Sequence, residues 1–220
     1  MATMAEINYK VRPEIVSYVE TSIIPQYDGF DKGHRRDHVR QVIEQALELS
    51  SHYPVNPEIS YIAAACHDLG LCEGRELHHM VSGRIMREDK ALRQWFTEDE
   101  IETAAQAAED HRASLGHEPR TIYGKIIAEA DRIIIPEVVI RRTIQYGLSH
   151  YPEMDKEAQW MRMNDHLKEK YAEGGYLRLW IPESPNAARI SELRALIADS
   201  ARLRALFESI YSKETDNNRQ

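Results

Sequence analysis

Apolar side chains recur along this chain every three to four residues, the spacing of one face of an α-helix, and almost nowhere in the strict alternation of a half-buried strand. Helices are predicted over roughly 13–23, 35–51, 57–69, 79–89, 98–112, 120–132, 136–148, 153–173 and 186–212. Pro13 and Pro57 suit first-turn positions, where a missing N–H costs nothing. Thr97-Glu98-Asp99-Glu100 spells a capping box that opens a helix ending at His111. Gly174-Gly175 suits a helix C-terminus. Leu177-Arg178-Leu179-Trp180-Ile181 is the best strand candidate, cut short by Pro182. The tail 213–220 is polar and expected to fray. No repeat, low-complexity tract or Pro/Gly/Ser linker divides the chain. The expectation is one all-α domain over residues 1–220, an orthogonal helical bundle.

Composition narrows the class. At 220 residues and 25.5 kDa, with 42% hydrophobic residues, the chain is long enough to bury its own core. The formal net charge of −8 argues against non-specific nucleic-acid binding, which needs a basic surface, but leaves room for a small anionic substrate. Cys66 and Cys72 are too close in sequence for a useful structural disulfide, so a reduced, cytoplasmic setting is expected. Residues 1–6 lack the charged-then-apolar pattern of a secretory leader. No apolar run reaches the ~18 residues a membrane span needs.

Four ionisable residues interrupt the apolar stripes. His38 is in register with Val42, Ala46 and Leu49. The doublet His67-Asp68 closes the run Ile62-Ala63-Ala64-Ala65-Cys66 just before Gly70, and Asp131 lies one turn after Ile127. A core-facing ionisable group is costly unless something pairs with it. Four of them on three core-facing helices are most simply explained by a shared cation. Imidazole with carboxylate suits borderline divalent ions such as Fe, Mn, Zn, Ni or Co rather than Ca. The ligands are far apart in sequence, so the fold would have to assemble the site.

In this order these residues resemble the H…HD…D pattern of the HD-domain superfamily of metal-dependent phosphohydrolases. His38-Val39-Arg40-Gln41-Val42, Ala64-Ala65-Cys66-His67-Asp68-Leu69-Gly70 and Glu129-Ala130-Asp131-Arg132 carry the likeness, which covers roughly 34–135; the helical extension, roughly 136–213, matches nothing recognisable. The resemblance implies an all-α fold and a metal bound by His38, His67, Asp68 and Asp131. Binuclear members carry two further histidines, and His79 and His111 resemble these, His79 by its four-residue spacing to Gly83. His78 is the alternative to His79. The pattern is similar to that of HD-type diadenosine tetraphosphate hydrolases. It implies six protein ligands with Asp68 bridging two ions, an arrangement suited to activating water and clamping phosphate.

Among nearby cations, Arg112 and Lys125 are the best candidates to bind substrate phosphate, with His34, one turn before His38, as a further contact. The function implied is hydrolysis of a phosphate ester or anhydride, of a nucleotide, with Asp68 holding the metal and orienting the attacking water. A mixed-valent diiron oxygenase of the same fold is one alternative, and a non-catalytic metal- or nucleotide-binding module is another. The sequence names neither the substrate, nor the metal, nor the oligomeric state.

Overall fold

The computed structural model describes residues 11–31 and 33–217. The chain is all-α: among the described residues there are ten α-helices and no strand. It divides into two compact units, one running to Arg132 and including Trp180–Ser184, the other made of Ile133–Leu179 and the residues from Pro185 onward.

The first unit contains α1 (Pro13–Tyr18), α2 (Arg36–Ser50), α3 (Pro57–Cys66), α4 (His78–Glu88), α5 (Glu98–Glu109) and α6 (Ile122–Asp131). The centre is α3, which packs against α2, α5 and α6. Every residue from Ile59 to Cys66 is buried, and a helix that is apolar all round can sit only inside a core. Its alanines let the three neighbours come close. Ser60, the polar exception, receives the hydroxyl of Ser50 at 2.7 Å, and the Ala65 carbonyl accepts from the buried Tyr27 hydroxyl at 2.8 Å. Pro57 opens α3 behind an Asn56 side-chain cap, and Thr97 and Glu100 form the expected capping box on α5.

The second unit holds α7 (Pro136–His150), α8 (Lys156–Tyr171), α9 (Asn186–Ala198) and α10 (Ser200–Asn217), packed around Ile140, Met163, Leu167, Leu193, Leu203 and Phe207. After α8 the chain turns at Gly174, whose φ of +82° suits glycine. The N–H groups of Tyr176 and Leu177 then return to the carbonyls of Glu169 and Lys170.

Several elements differ from expectation. The first helix is α-helical only to Tyr18, then widens into a π turn (Val19–Ile23) before tightening into a 3₁₀ turn (Ile24–Gly29) where Pro25 removes a donor. The predicted 186–212 helix is two helices, broken at Asp199, whose ψ of 84° leaves the helical region. The strand candidate is irregular: the Trp180 N–H donates to the Glu129 carboxylate at 2.9 Å, not to a strand, and Ile181 is buried in the core of the first unit. The tail is helical as far as Asn217. Residues 1–10, where a leader was sought, and 218–220 lie outside the described residues. No helix among the described residues is long and apolar enough to cross a membrane.

Candidate metal centre

The residues singled out by sequence come from four helix ends. His38 lies in the first turn of α2, His67 and Asp68 follow the last residue of α3, His111 follows α5, and Asp131 closes α6. Their functional atoms converge on Asp68, whose two oxygens face different partners. Oδ2 lies 3.2 Å from His67 Nε2 and 3.6 Å from His38 Nε2. Asp131 Oδ1 completes that side, 3.2 Å from His38 Nε2 and 3.7 Å from His67 Nε2. Oδ1 of Asp68 lies 3.5 Å from His111 Nε2 and 3.4 Å from His78 Nε2. Two groups of ligand atoms, His38–His67–Asp68 and Asp68–His78–His111, each fit within 4.8 Å.

The imidazoles are oriented from behind. His67 Nδ1 faces the Ala64 carbonyl at 2.8 Å, His78 Nδ1 the Arg75 carbonyl at 2.8 Å, and His111 Nδ1 the Ala108 carbonyl. A carbonyl only accepts, so Nδ1 carries the proton in each and Nε2 turns its lone pair to the cluster. The buried Nε2 atoms of His38 and His67 make no hydrogen bond of good geometry, although buried polar atoms nearly always do. Orphaned nitrogens beside paired carboxylates fit a divalent transition ion. The charges agree. Burial opposes protonation of His38, but the facing Asp131 and Asp68 carboxylates outweigh it and push this imidazole up to about 9. Burial likewise opposes ionisation of Asp68 and Asp131, yet the surrounding histidines hold both carboxyls well below the usual range. The pocket therefore favours positive charge.

The HD domain family model matches residues 35–134, the stretch that supplies every residue of this cluster. Residues 35–134 are an HD domain. The fold is similar to a solved structure from an uncultured Thermotogales bacterium described as a predicted HD superfamily hydrolase. The identity is 21%, over 74% of this chain and 90% of that one, with a TM-score of 0.51. Among curated proteins no match was found.

Within this HD domain one expected residue is displaced by its neighbour. His79 was expected in the cluster from its spacing to Gly83, but the geometry brings His78 there. The two faces of α4 explain it. His78 and Ser82 share one face, and Ser82 Oγ accepts the Gly70 N–H at 2.9 Å, two residues after Asp68. Gly70 admits this approach because a Cβ there would come 2.0 Å from the His78 carbonyl oxygen. His79 and Gly83 share the adjacent face, where a Cβ on Gly83 would come 2.5 Å from Glu109 Oε1. The glycine spacing thus reports packing of α4 on α5. Burial, then the charge of Arg112, pushes His79 down to about 4. Gly70 and Ser82 were the available signals for His78.

The candidate substrate contacts divide. His34 sits with its ring 5.7 Å from that of His38, its Nδ1 held by Asp31 at 2.8 Å. Arg112 donates from Nη1 to the Glu76 carbonyl at 2.6 Å, close enough to the second histidine group to depress both His78 and His79. Lys125 is engaged elsewhere, its ammonium 2.5 Å from Glu118. Behind His111, the buried Glu109 joins Arg87 and Arg120 at 2.5 and 2.6 Å, and Asp110 accepts the Arg120 N–H at 2.7 Å. That network fixes the end of α5. Both cysteines are free, Cys66 buried and Cys72 exposed.

Proposed function

We propose that the chain is a metal-dependent phosphohydrolase acting on a phosphate ester or anhydride, of a nucleotide. The observation that carries the reading is Asp68, whose two oxygens each face a separate histidine group. His38, His67, Asp68 and Asp131 would hold one divalent ion, and Asp68, His78 and His111 a second. Fe, Mn, Ni, Co and Zn all suit this donor set. Bound there, such ions supply a nucleophilic water near neutral pH and neutralise charge on the phosphate oxygens.

The chain's own residues do the rest. The carbonyls of Ala64, Arg75 and Ala108 keep three imidazoles oriented, so little reorganisation is needed when phosphate arrives. Asp68 fixes the spacing between the two groups and orients the attacking water. Arg112 lends positive charge on the side of His78 and His111. His34, its Nδ1 held by Asp31 and its ring beside that of His38, would contact a phosphate oxygen.

The test is elemental analysis of protein purified without chelators, coupled to phosphate release from a nucleotide panel with Mn²⁺, Fe²⁺, Ni²⁺ and Co²⁺. About two equivalents of metal with phosphate release, both lost in Asp68→Ala, is the expected result. Two irons with oxygen uptake and no phosphate release would replace this reading with the oxygenase. Full loading without turnover of any kind would leave a binding module.

A further inference from the structure

Two segments lead into the helices that begin at the cluster. One, ahead of α2, carries Asp31 and His34; the other, ahead of α4, carries Arg75 and ends at His78. A single ion pair joins them, with Arg75 Nη1 3.4 Å from Asp31 Oδ2. The backbone of the same arginine reaches the second histidine group, its carbonyl accepting the His78 Nδ1 proton at 2.8 Å. Gly74, with φ +111°, makes the turn that sets Arg75 there. Arg75 thus serves one histidine group with its backbone and lies, through Asp31 and His34, beside the other.

From His38 outward these side chains form a ladder. His38 is 6% exposed, His34 with its ring 5.7 Å away 20%, Asp31 on the His34 Nδ1 57%, and Arg75 on Asp31 59%. A run of touching residues that rises from buried to exposed is a way in from solvent. Burial depresses the His34 imidazole, the Asp68 and Asp31 carboxylates act against that, and the Arg75 charge adds to it, so His34 senses both the cluster and Arg75. A carboxylate in such an entrance repels an anion unless a cation neutralises it. The pairing here is loose. Arg36 grips Asp28 with two nitrogens at 2.6 and 2.5 Å, whereas Arg75 makes one 3.4 Å contact between exposed groups, which adds little to stability.

We propose that Arg75 is a substrate-binding residue held by Asp31 until substrate arrives, and that it then exchanges Asp31 for a second anionic group of the substrate, as in a compound with two linked phosphates. The proposal rests on the phosphohydrolase reading of the cluster. The reacting phosphate belongs at the buried Asp68, and Arg75 stands at the far end of the ladder, where the next phosphate along would emerge. A guanidinium can give such a phosphate two parallel N–H groups, better geometry than its one long contact with Asp31. Arg112 and Lys125 are committed elsewhere, to the Glu76 carbonyl and to Glu118.

The experiment is calorimetric binding of imidodiphosphate, which resists hydrolysis, and of inorganic phosphate to the protein at equal free Mn²⁺, in wild type, Arg75→Gln and Asp31→Asn. Arg75 is exposed and every substitution keeps the carbonyl that holds His78, so fold and metal content should survive, as melting temperature and elemental analysis check. Asparagine keeps an acceptor for His34 while removing the competing charge. Wild type should prefer imidodiphosphate. Arg75→Gln should lose about tenfold for it and little for phosphate, the order expected for one charge-assisted contact, and Asp31→Asn should bind it more tightly than wild type. Unchanged imidodiphosphate affinity in Arg75→Gln, or equal loss of both probes, overturns the proposal while leaving the phosphate site standing. Weaker imidodiphosphate binding in Asp31→Asn overturns the exchange. Failure of the wild type to bind either probe removes the underlying reading and the proposal with it.

Discussion

His78 and His111 face each other across 3.1 Å between their Nε2 atoms, and Asp68 Oδ1 lies 3.4 and 3.5 Å from the pair. Two buried imidazoles do not approach a carboxylate oxygen in this way to satisfy each other, because each already donates Nδ1–H to a carbonyl. Their remaining lone pairs converge. His78→Ala is therefore expected to lower bound metal from about two equivalents to about one, whereas His79→Ala keeps both. Elemental analysis of the two variants side by side decides the matter. Equal loss in both would place the ligand assignment on the wrong face of α4.

Gly70 is the hinge of that arrangement. A Cβ at this position meets backbone rather than a flexible side-chain tip: the His78 carbonyl oxygen at 2.0 Å and the Ser82 nitrogen at 2.7 Å. Gly70→Ala should force α4 away from Asp68, destabilising the protein by about 1–3 kcal/mol and weakening the second metal more than the first. Gly29, with nothing within 4 Å of its would-be Cβ, is the control. Gly29→Ala should be neutral or slightly stabilising. Urea unfolding with metal titration reads both effects.

The parts of the fold visible in the sequence are those whose cause is local. Pro13, Pro57 and the Thr97–Glu100 box fix helix starts through their own backbone neighbours, and the alanine run of α3 announces a buried helix. His38, His67, Asp68 and Asp131 stood out because each interrupts an apolar stripe, whereas His111 stood out through the likeness to binuclear family members. The displaced elements depend on contacts distant in sequence. Trp180 gives its N–H to Glu129, 51 residues away, so local β-propensity said nothing useful. The exchange of His79 for His78 turns on one helix step, set by Gly70 against Ser82, which periodicity alone does not resolve. The break at Asp199 carries neither glycine nor proline, and helical spacing continues across it.

Glu109 should matter more than its distance from the reacting atoms suggests. It is 4% exposed and bridges Arg87 and Arg120, while Gly83 packs on its side chain. Glu109→Ala removes the shared acceptor and opens space behind His111. The two arginines are partly exposed and regain water, so the loss should be about 1–3 kcal/mol rather than the larger cost of a fully buried orphan charge. Arg84 pairs with Glu73 entirely at the surface, 46% and 55% exposed, and Arg84→Ala should leave the urea midpoint unchanged. Comparable losses in both variants would mean the buried network has no special role.

The second unit offers a pH test separate from the metal cluster. Burial first, then the charges of Lys170 and Arg162, holds the His166 imidazole below its ordinary value of 6.5, with Glu169 acting the other way. The unfolded chain, whose His166 titrates normally, therefore binds more protons than the folded chain as pH falls through 6.5. Stability contributed by neutral His166 is complete above that pH and is lost as pH drops toward the depressed folded value. His34, His78 and His79 are depressed as well, while His38 and His111 are raised, so the wild-type profile sums opposing contributions. The difference between wild type and His166→Gln isolates the one group. Melting temperature followed from about pH 7.5 to about pH 5 should fall less steeply in the variant. Parallel profiles would mean that His166 titrates alike in the folded and unfolded chains, and that the flanking Arg162 and Lys170 leave its protonation untouched.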